Sequence, residues 1–274
     1  YNQSGVYTNK LGTSVKNCNI DMGEGTGGYG IELVNGASNS YISNNNLGEQ
    51  NRGISISFAS NNVIENNTID ISCVNCYGMY LYSTQSNNLN NNIINSFKSY
   101  ALYLYNSQYN ILDNNIFASN SSHGIYLYNA SYNNLDSNTG TSNSGSGIYI
   151  YNSRNNNLIS NIGTSNSSYG LYLQNSIFNS LENNFGNSVK MYGIYMYNVS
   201  NSNFISNIGT SNSSNGIYLF LSSNNNLTSN LGESNSGTGL YLYNSKDNYL
   251  AFNTATSNSS YGLYLYISSN NSLI

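Results

Sequence analysis

One position in the sequence returns with a period that few folds can use. Starting at Gly5, a glycine followed by two alternating apolar residues recurs at Gly30, Gly53, Gly78, Gly124, Gly147, Gly170, Gly193, Gly216, Gly239 and Gly262, with Ala101 standing in for one glycine. The intervals are 25, 23 and 25 residues, then 23 for every remaining step. Eight equal intervals in succession are a register, so the chain reads as a repeat architecture.

Each repeat has the same internal order. With the marker as offset zero, offsets one and three are apolar in all eleven units from Gly30 on, as in Ile31/Leu33, Met79/Leu81, Ile125/Leu127 and Leu240/Leu242. Strict alternation over four residues predicts a strand with one buried face. A further apolar residue stands at offset eleven: Ile64, Leu89, Leu112, Leu135, Leu158, Leu181, Phe204, Leu227 and Leu250. Helical spacing is absent, and the Leu-x-x-Leu-x-Leu of a leucine-rich repeat is missing. Two or three short strands per 23 residues predict an all-β, right-handed parallel β-helix of about twelve coils. Residues 1–77 form the less regular coils and 78–274 the regular ones. The third unit bulges at Cys73-Val74-Asn75-Cys76, and 19–30 is irregular. Residues 1–274 read as one solenoid without a linker, as a segment of a longer array.

Composition now becomes informative. The chain holds 59 Asn and 48 Ser among 274 residues, no Pro, no Trp, and only 7% charged residues. A net charge of −4 with seven Lys+Arg excludes a basic surface for nucleic acid. No apolar run approaches the ~18–20 residues of a membrane span. In a stacked coil, identical residues lie ~4.8 Å apart on successive rungs, and an inward Asn passes its amide hydrogen bond to the next. Asn occupies offset fourteen in nine consecutive units, Asn67, Asn92, Asn115, Asn138, Asn161, Asn184, Asn207, Asn230 and Asn253, which predicts a structural ladder. Offset nineteen (Asn120, Asn143, Asn166, Asn212, Asn235, Asn258) and offset five (Asn106, Asn129, Asn152, Asn175, Asn198, Asn244) predict further columns.

The recurrent Gly-Ile-Tyr-Leu-Tyr-Asn-Ser, the Asn-Asn-Asn-Leu-Ile-Ser-Asn at 155–161 and Val63-Ile64-Glu65-Asn66-Asn67-Thr68-Ile69 resemble the right-handed β-helix repeats of the NosD-like and carbohydrate-binding/sugar-hydrolase (CASH) group. The resemblance covers essentially the whole chain. It implies the fold and a bacterial or archaeal surface setting, and such repeats occur in enzymes, adhesins and passive scaffolds alike.

Tyrosine stands above background. Offsets two and four face away from the core, and in the nine units from Gly78 on 16 of these 18 slots are Tyr. They are Tyr80, Tyr82, Tyr103, Tyr105, Tyr126, Tyr128, Tyr149, Tyr151, Tyr172, Tyr195, Tyr197, Tyr218, Tyr241, Tyr243, Tyr264 and Tyr266, with Gln174 and Phe220 as exceptions. At ~4.8 Å per rung they form a strip about 40 Å long. Three readings compete: stacking that steadies the sheet, an assembly surface, or a platform for sugar rings.

Dedicated chemistry is sparse. Asp113 and Asp136 share offset twelve on adjacent rungs, roughly the 5 Å separation of a retaining glycosidase. Their column also carries Glu65, Asn90, Ile159 and Ile205, the pattern of a solvated face. One His (His123) and one C-x-x-C (Cys73, Cys76) fall short of a four-ligand metal site, and the two cysteines read as a local disulfide or as free thiols. No cofactor is expected. Ten Asn-x-Ser/Thr sequons, at Asn2, Asn66, Asn120, Asn129, Asn166, Asn198, Asn212, Asn226, Asn258 and Asn270, accord with an extracellular address. The expectation is a non-enzymatic, extracellular or cell-surface rod of a surface layer, filament or adhesin. It would self-associate or meet neighbouring surface domains through the Tyr strip. The alternative is a carbohydrate-binding β-helix module of polysaccharide-hydrolase or lyase ancestry.

Overall fold

The computed structural model describes residues 4–21, 28–48, 52–74 and 76–274. The irregular stretch at 22–27, Asn75 of the bulge and the sequon at Asn2 lie outside the described residues. Each regular coil contributes three short strands, as in Ile148–Tyr151, Asn157–Ile159 and Ile162–Ser165. Equivalent strands of successive coils pair in parallel, building sheets of 12, 12 and 11 strands, which amounts to eleven complete coils and two strands of another. Register is strict: Tyr126 pairs with Tyr149, Leu135 with Leu158 and Thr141 with Thr164. No helix occurs among the described residues.

The predicted core columns fill the interior. Offsets one, three and eleven, from Ile31 and Leu33 to Leu242, are buried, and offset sixteen adds Ile69, Ile94 and Phe117. From Gly140 to Gly232 offset sixteen is glycine, and it meets the marker glycine at close range. A Cβ on Gly147 would lie 2.3 Å from the Thr164 nitrogen and 2.6 Å from the Gly140 oxygen. In these coils the marker is glycine because the backbones of the first and third sheets touch there, whereas a buried Ala101 holds the marker position in the coil whose offset sixteen is Phe117.

The three corners share one device. All 32 non-glycine residues with positive φ among those described occupy corner positions, at offsets five, eight and thirteen in the regular coils: Asn152, Asn155 and Ser160 have φ of 50°, 53° and 54°. A single left-handed residue turns the strand, and Asn tolerates that conformation better than other side chains. The residue after the left-handed position then points inward. At offset fourteen this produces the predicted ladder: Asn138 Nδ2 donates to Asn161 Oδ1 at 3.0 Å and to Leu112 O at 2.9 Å, and Asn161 repeats the pattern with Asn184 and Leu135. A second buried ladder, which the sequence pattern did not reveal, runs at offset nine through Asn62, Asn87, Asn110, Asn133, Asn156 and Asn179, then Ser202, Asn225, Asn248 and Asn271. The amides of offsets five and nineteen also stack from coil to coil, but on the surface, as in Asn198 to Asn175 and Asn258 to Asn235, both at 2.9 Å.

Candidate functional site

Two surfaces distinguish the rod. The first is the tyrosine strip on the outer face of the first sheet. Its rings lie nearly parallel from rung to rung: Tyr126 and Tyr149 are 4.9 Å apart at 7°, Tyr149 and Tyr172 4.6 Å at 4°, Tyr195 and Tyr218 5.3 Å at 8°. The offset-four column repeats this through Tyr82, Tyr105, Tyr128 and Tyr151, and again through Tyr197, Phe220, Tyr243 and Tyr266. Tyr80 and Tyr103, and Tyr241 and Tyr264, extend the offset-two column towards its ends. Where the offset-two column meets Ser55 on the preceding rung, the Arg52 guanidinium covers the Tyr80 ring at 4.3 Å. Gln174 interrupts the second column and accepts hydrogen bonds from the Tyr149 and Tyr172 hydroxyls at 2.6 and 2.8 Å.

This packing decides what the strip can offer. Each inner ring spends both faces on its neighbours, so a ligand meets ring edges and phenolic hydroxyls. Burial raises the Tyr126 and Tyr172 phenols far above their usual range, and neighbouring phenols add to the shift, so these two hydroxyls stay protonated. His123 stands one residue before the marker, beside the strip, stacked on Tyr100 at 5.5 Å and tilted against Tyr149 at 4.9 Å, with Nδ1 accepting the Ser146 N–H at 2.9 Å. Burial pushes its imidazole down to about 4.

The second surface is a trough along the third sheet. The strands of this sheet end at an inward serine of offset eighteen, which pins the following loop. Ser165 Oγ donates to Gly145 O at 2.7 Å and accepts the Ser168 N–H at 2.8 Å, and Ser119, Ser211 and Ser257 donate to equivalent carbonyls. Offsets seventeen and nineteen on either side of the pinned serine line a concavity of about 720 Å³ running from Asp70 to Asn187. A further stretch of about 380 Å³ begins at Asn187 and continues to Asn258. The seventeen column reads Asp70, Asn95, Ala118, Thr141, Thr164, Asn187, Thr210, Glu233, Thr256, and the nineteen column is mostly Asn. Sequence reasoning recognised the nineteen column as a stack but missed the trough. The Gly-Thr-Ser-Asn recurring at 163–166 and 209–212 was the available signal. The sequons at Asn120, Asn166, Asn212 and Asn258 lie on this lining.

The predicted carboxylate pair stays apart from both surfaces. Asp113 and Asp136 pair on adjacent rungs of the second sheet, each accepting a hydrogen bond from the residue that follows it. Cys73 and Cys76 are joined by a disulfide. No cluster of three potential metal ligands occurs among the described residues.

The family described as right handed beta helix region matches residues 1–139, 77–230 and 158–274. The chain belongs to this family. No curated protein matches the sequence significantly. Among solved structures, this β-helix is similar to the A-module of the Azotobacter vinelandii mannuronan C-5 epimerase AlgE6, with a TM-score of 0.60 at 12% identity over 96% of this chain and 86% of that one. The periplasmic alginate epimerase AlgG aligns at 14% identity over 98% and 78% of the two chains with a TM-score of 0.45. The catalytic domain of a GH87 α-1,3-glucanase aligns at 10% identity over 97% and 63%, with a TM-score of 0.37. At such identities the likeness is one of fold. It nonetheless corrects the expectation of a non-enzymatic chain: this fold is shared with a module of a mannuronan C-5 epimerase, so scarcity of charge in the sequence does not remove the enzyme class.

Proposed function

We propose that the chain is a carbohydrate-active β-helix module that holds an extended polysaccharide in the trough of the third sheet. The observation that carries this reading is the continuity of the trough, which presents hydroxyls and amides at successive rungs over most of the solenoid. A fold in common with a mannuronan C-5 epimerase module supports it. So does the resemblance of the repeats to the NosD-like and CASH group. The tyrosine strip is the weaker platform for sugars, because stacking on a ring face requires a free face. A secreted or periplasmic address accords with the Cys73–Cys76 disulfide, since such bonds persist in oxidising compartments. A second reading, a surface rod whose copies meet along the Tyr strip, is favoured by the uninterrupted aromatic stacking of the offset-two column.

Binding to a polysaccharide panel, measured by affinity electrophoresis, tests the proposal. Thr164→Trp fills the trough from its outward face while leaving the core untouched. Loss of binding of tenfold or more in this variant, with binding kept in Tyr128→Ser, is the expected result. Loss confined to the Tyr variant, or no binding to any polysaccharide, would overturn the assignment.

A further inference from the structure

The charge of the trough separates two classes of polysaccharide. Asp70 and Glu233 are the only ionisable side chains on its described lining, and both are acidic. From Ala118 to Asn212 the lining carries no charge. The basic residues stand elsewhere. Arg52 lies against Tyr29, Tyr77 and Tyr80 on the first sheet, and Lys16 covers Tyr41. Arg154 pairs through its backbone with Ser131 at the opposite corner, where Lys246 occupies the same offset. Lys98 and Lys190 are exposed one residue beyond the nineteen column, on the rim in two coils only.

A polyuronate brings one carboxylate per sugar. Laid along the axis, it would set an anion against almost every rung, with two rim lysines to receive it, two carboxylates in the trough and a net charge of −4 opposing it. The hydrogen-bonding pattern points the same way. Asn166 donates one amide hydrogen to Asn143, and Asn258 to Asn235, which leaves each amide a second N–H and spare acceptor capacity on its oxygen. Thr141 and Thr164 likewise offer a donor and an acceptor, while Thr210, whose hydroxyl donates to Asn187 Oδ1 at 2.8 Å, offers an acceptor. Such a surface matches hydroxyls, which both donate and accept, whereas a carboxylate only accepts.

We infer that the trough selects an uncharged polysaccharide, a polymer of neutral pyranoses, and discriminates against polyuronates such as mannuronan. This rests on the trough being the binding site. The experiment compares neutral glucans, mannans and xylans with alginate and polygalacturonate at low and at physiological salt, using the wild-type chain and the outward variants Thr141→Lys and Thr164→Lys combined. The wild type is expected to bind at least one neutral polymer with little dependence on salt and at least tenfold more tightly than either polyuronate. The double-lysine variant is expected to reverse that order at low salt. Tighter binding of a polyuronate by the wild type would overturn the inference while leaving the trough as the site. Neutral binding that the lysines leave unchanged would instead remove the trough as the site, and the inference with it.

Discussion

Truncating one rung of the buried amide ladder tests the physical account of the fold directly. Asn138 makes four side-chain hydrogen bonds: its Oδ1 accepts from Asn115 N at 3.1 Å and Asn115 Nδ2 at 2.9 Å, and its Nδ2 donates to Leu112 O at 2.9 Å and Asn161 Oδ1 at 3.0 Å. At about 1 kcal/mol net for each, with added cost for donors left dry, Asn138→Ala should destabilise by about 3–5 kcal/mol. Asn152→Ala is the control. That residue sits at an exposed left-handed corner, where Ala loses a long, solvent-exposed hydrogen bond to Asn129 Oδ1 at 3.5 Å and the local tolerance of Asn for positive φ, together about 1 kcal/mol. Chemical denaturation followed by circular dichroism measures both. Hydrogen exchange at the Asn115 amide locates the damage, since each coil touches only its neighbours and unfolding can be local. A cost for Asn138→Ala no larger than that for Asn152→Ala would refute the claim that the ladder stabilises the coils.

Two further perturbations bear on other parts of the rod. Because burial holds the His123 imidazole at about 4, below the 6.5 of an unfolded His, its contribution to stability is complete above pH 6.5 and is lost as pH falls towards 4; linkage gives about 2 kcal/mol between pH 7 and pH 5. His123→Asn should remove that slope while keeping the hydrogen bond to Ser146, as Asn215 Oδ1 accepts the Thr238 N–H at 2.8 Å in the equivalent position; an unaltered pH profile in urea titrations would contradict the assignment. Gly147→Ala places a Cβ against three backbone atoms within 2.7 Å and should cost more than about 3 kcal/mol or prevent folding, whereas a near-neutral melting temperature would show that the two sheets can separate there.

The repeat made much of this fold readable because in-register parallel pairing turns equal offsets into columns in space. The core columns, the offset-fourteen ladder and the outward tyrosines all followed from that rule. The offset-nine ladder did not, although its residues are as regular. In Asn155-Asn156-Asn157 three identical side chains stand in a row, and only the left-handed backbone at Asn155 turns Asn156 inward. Composition cannot separate them. Ser202 also interrupts the column while preserving its backbone-to-side-chain hydrogen bonds, which hides the continuity from a search for Asn alone.

Sequence by itself determined the coil length, the number of rungs and the residues that share a rung, since these depend on period and alternation alone. Tertiary structure decided which faces of those residues remain free. Alternation placed the tyrosines outward, but their ring planes lie parallel, so neighbouring rings consume the faces a sugar would need. The Asn and Thr columns at offsets nineteen and seventeen were visible as columns, but the concavity between them exists because the offset-eighteen serines pin the following loop to the preceding coil. Period is a property of the chain in one dimension. Ring orientation and concavity arise from contacts between coils, which no single repeat contains.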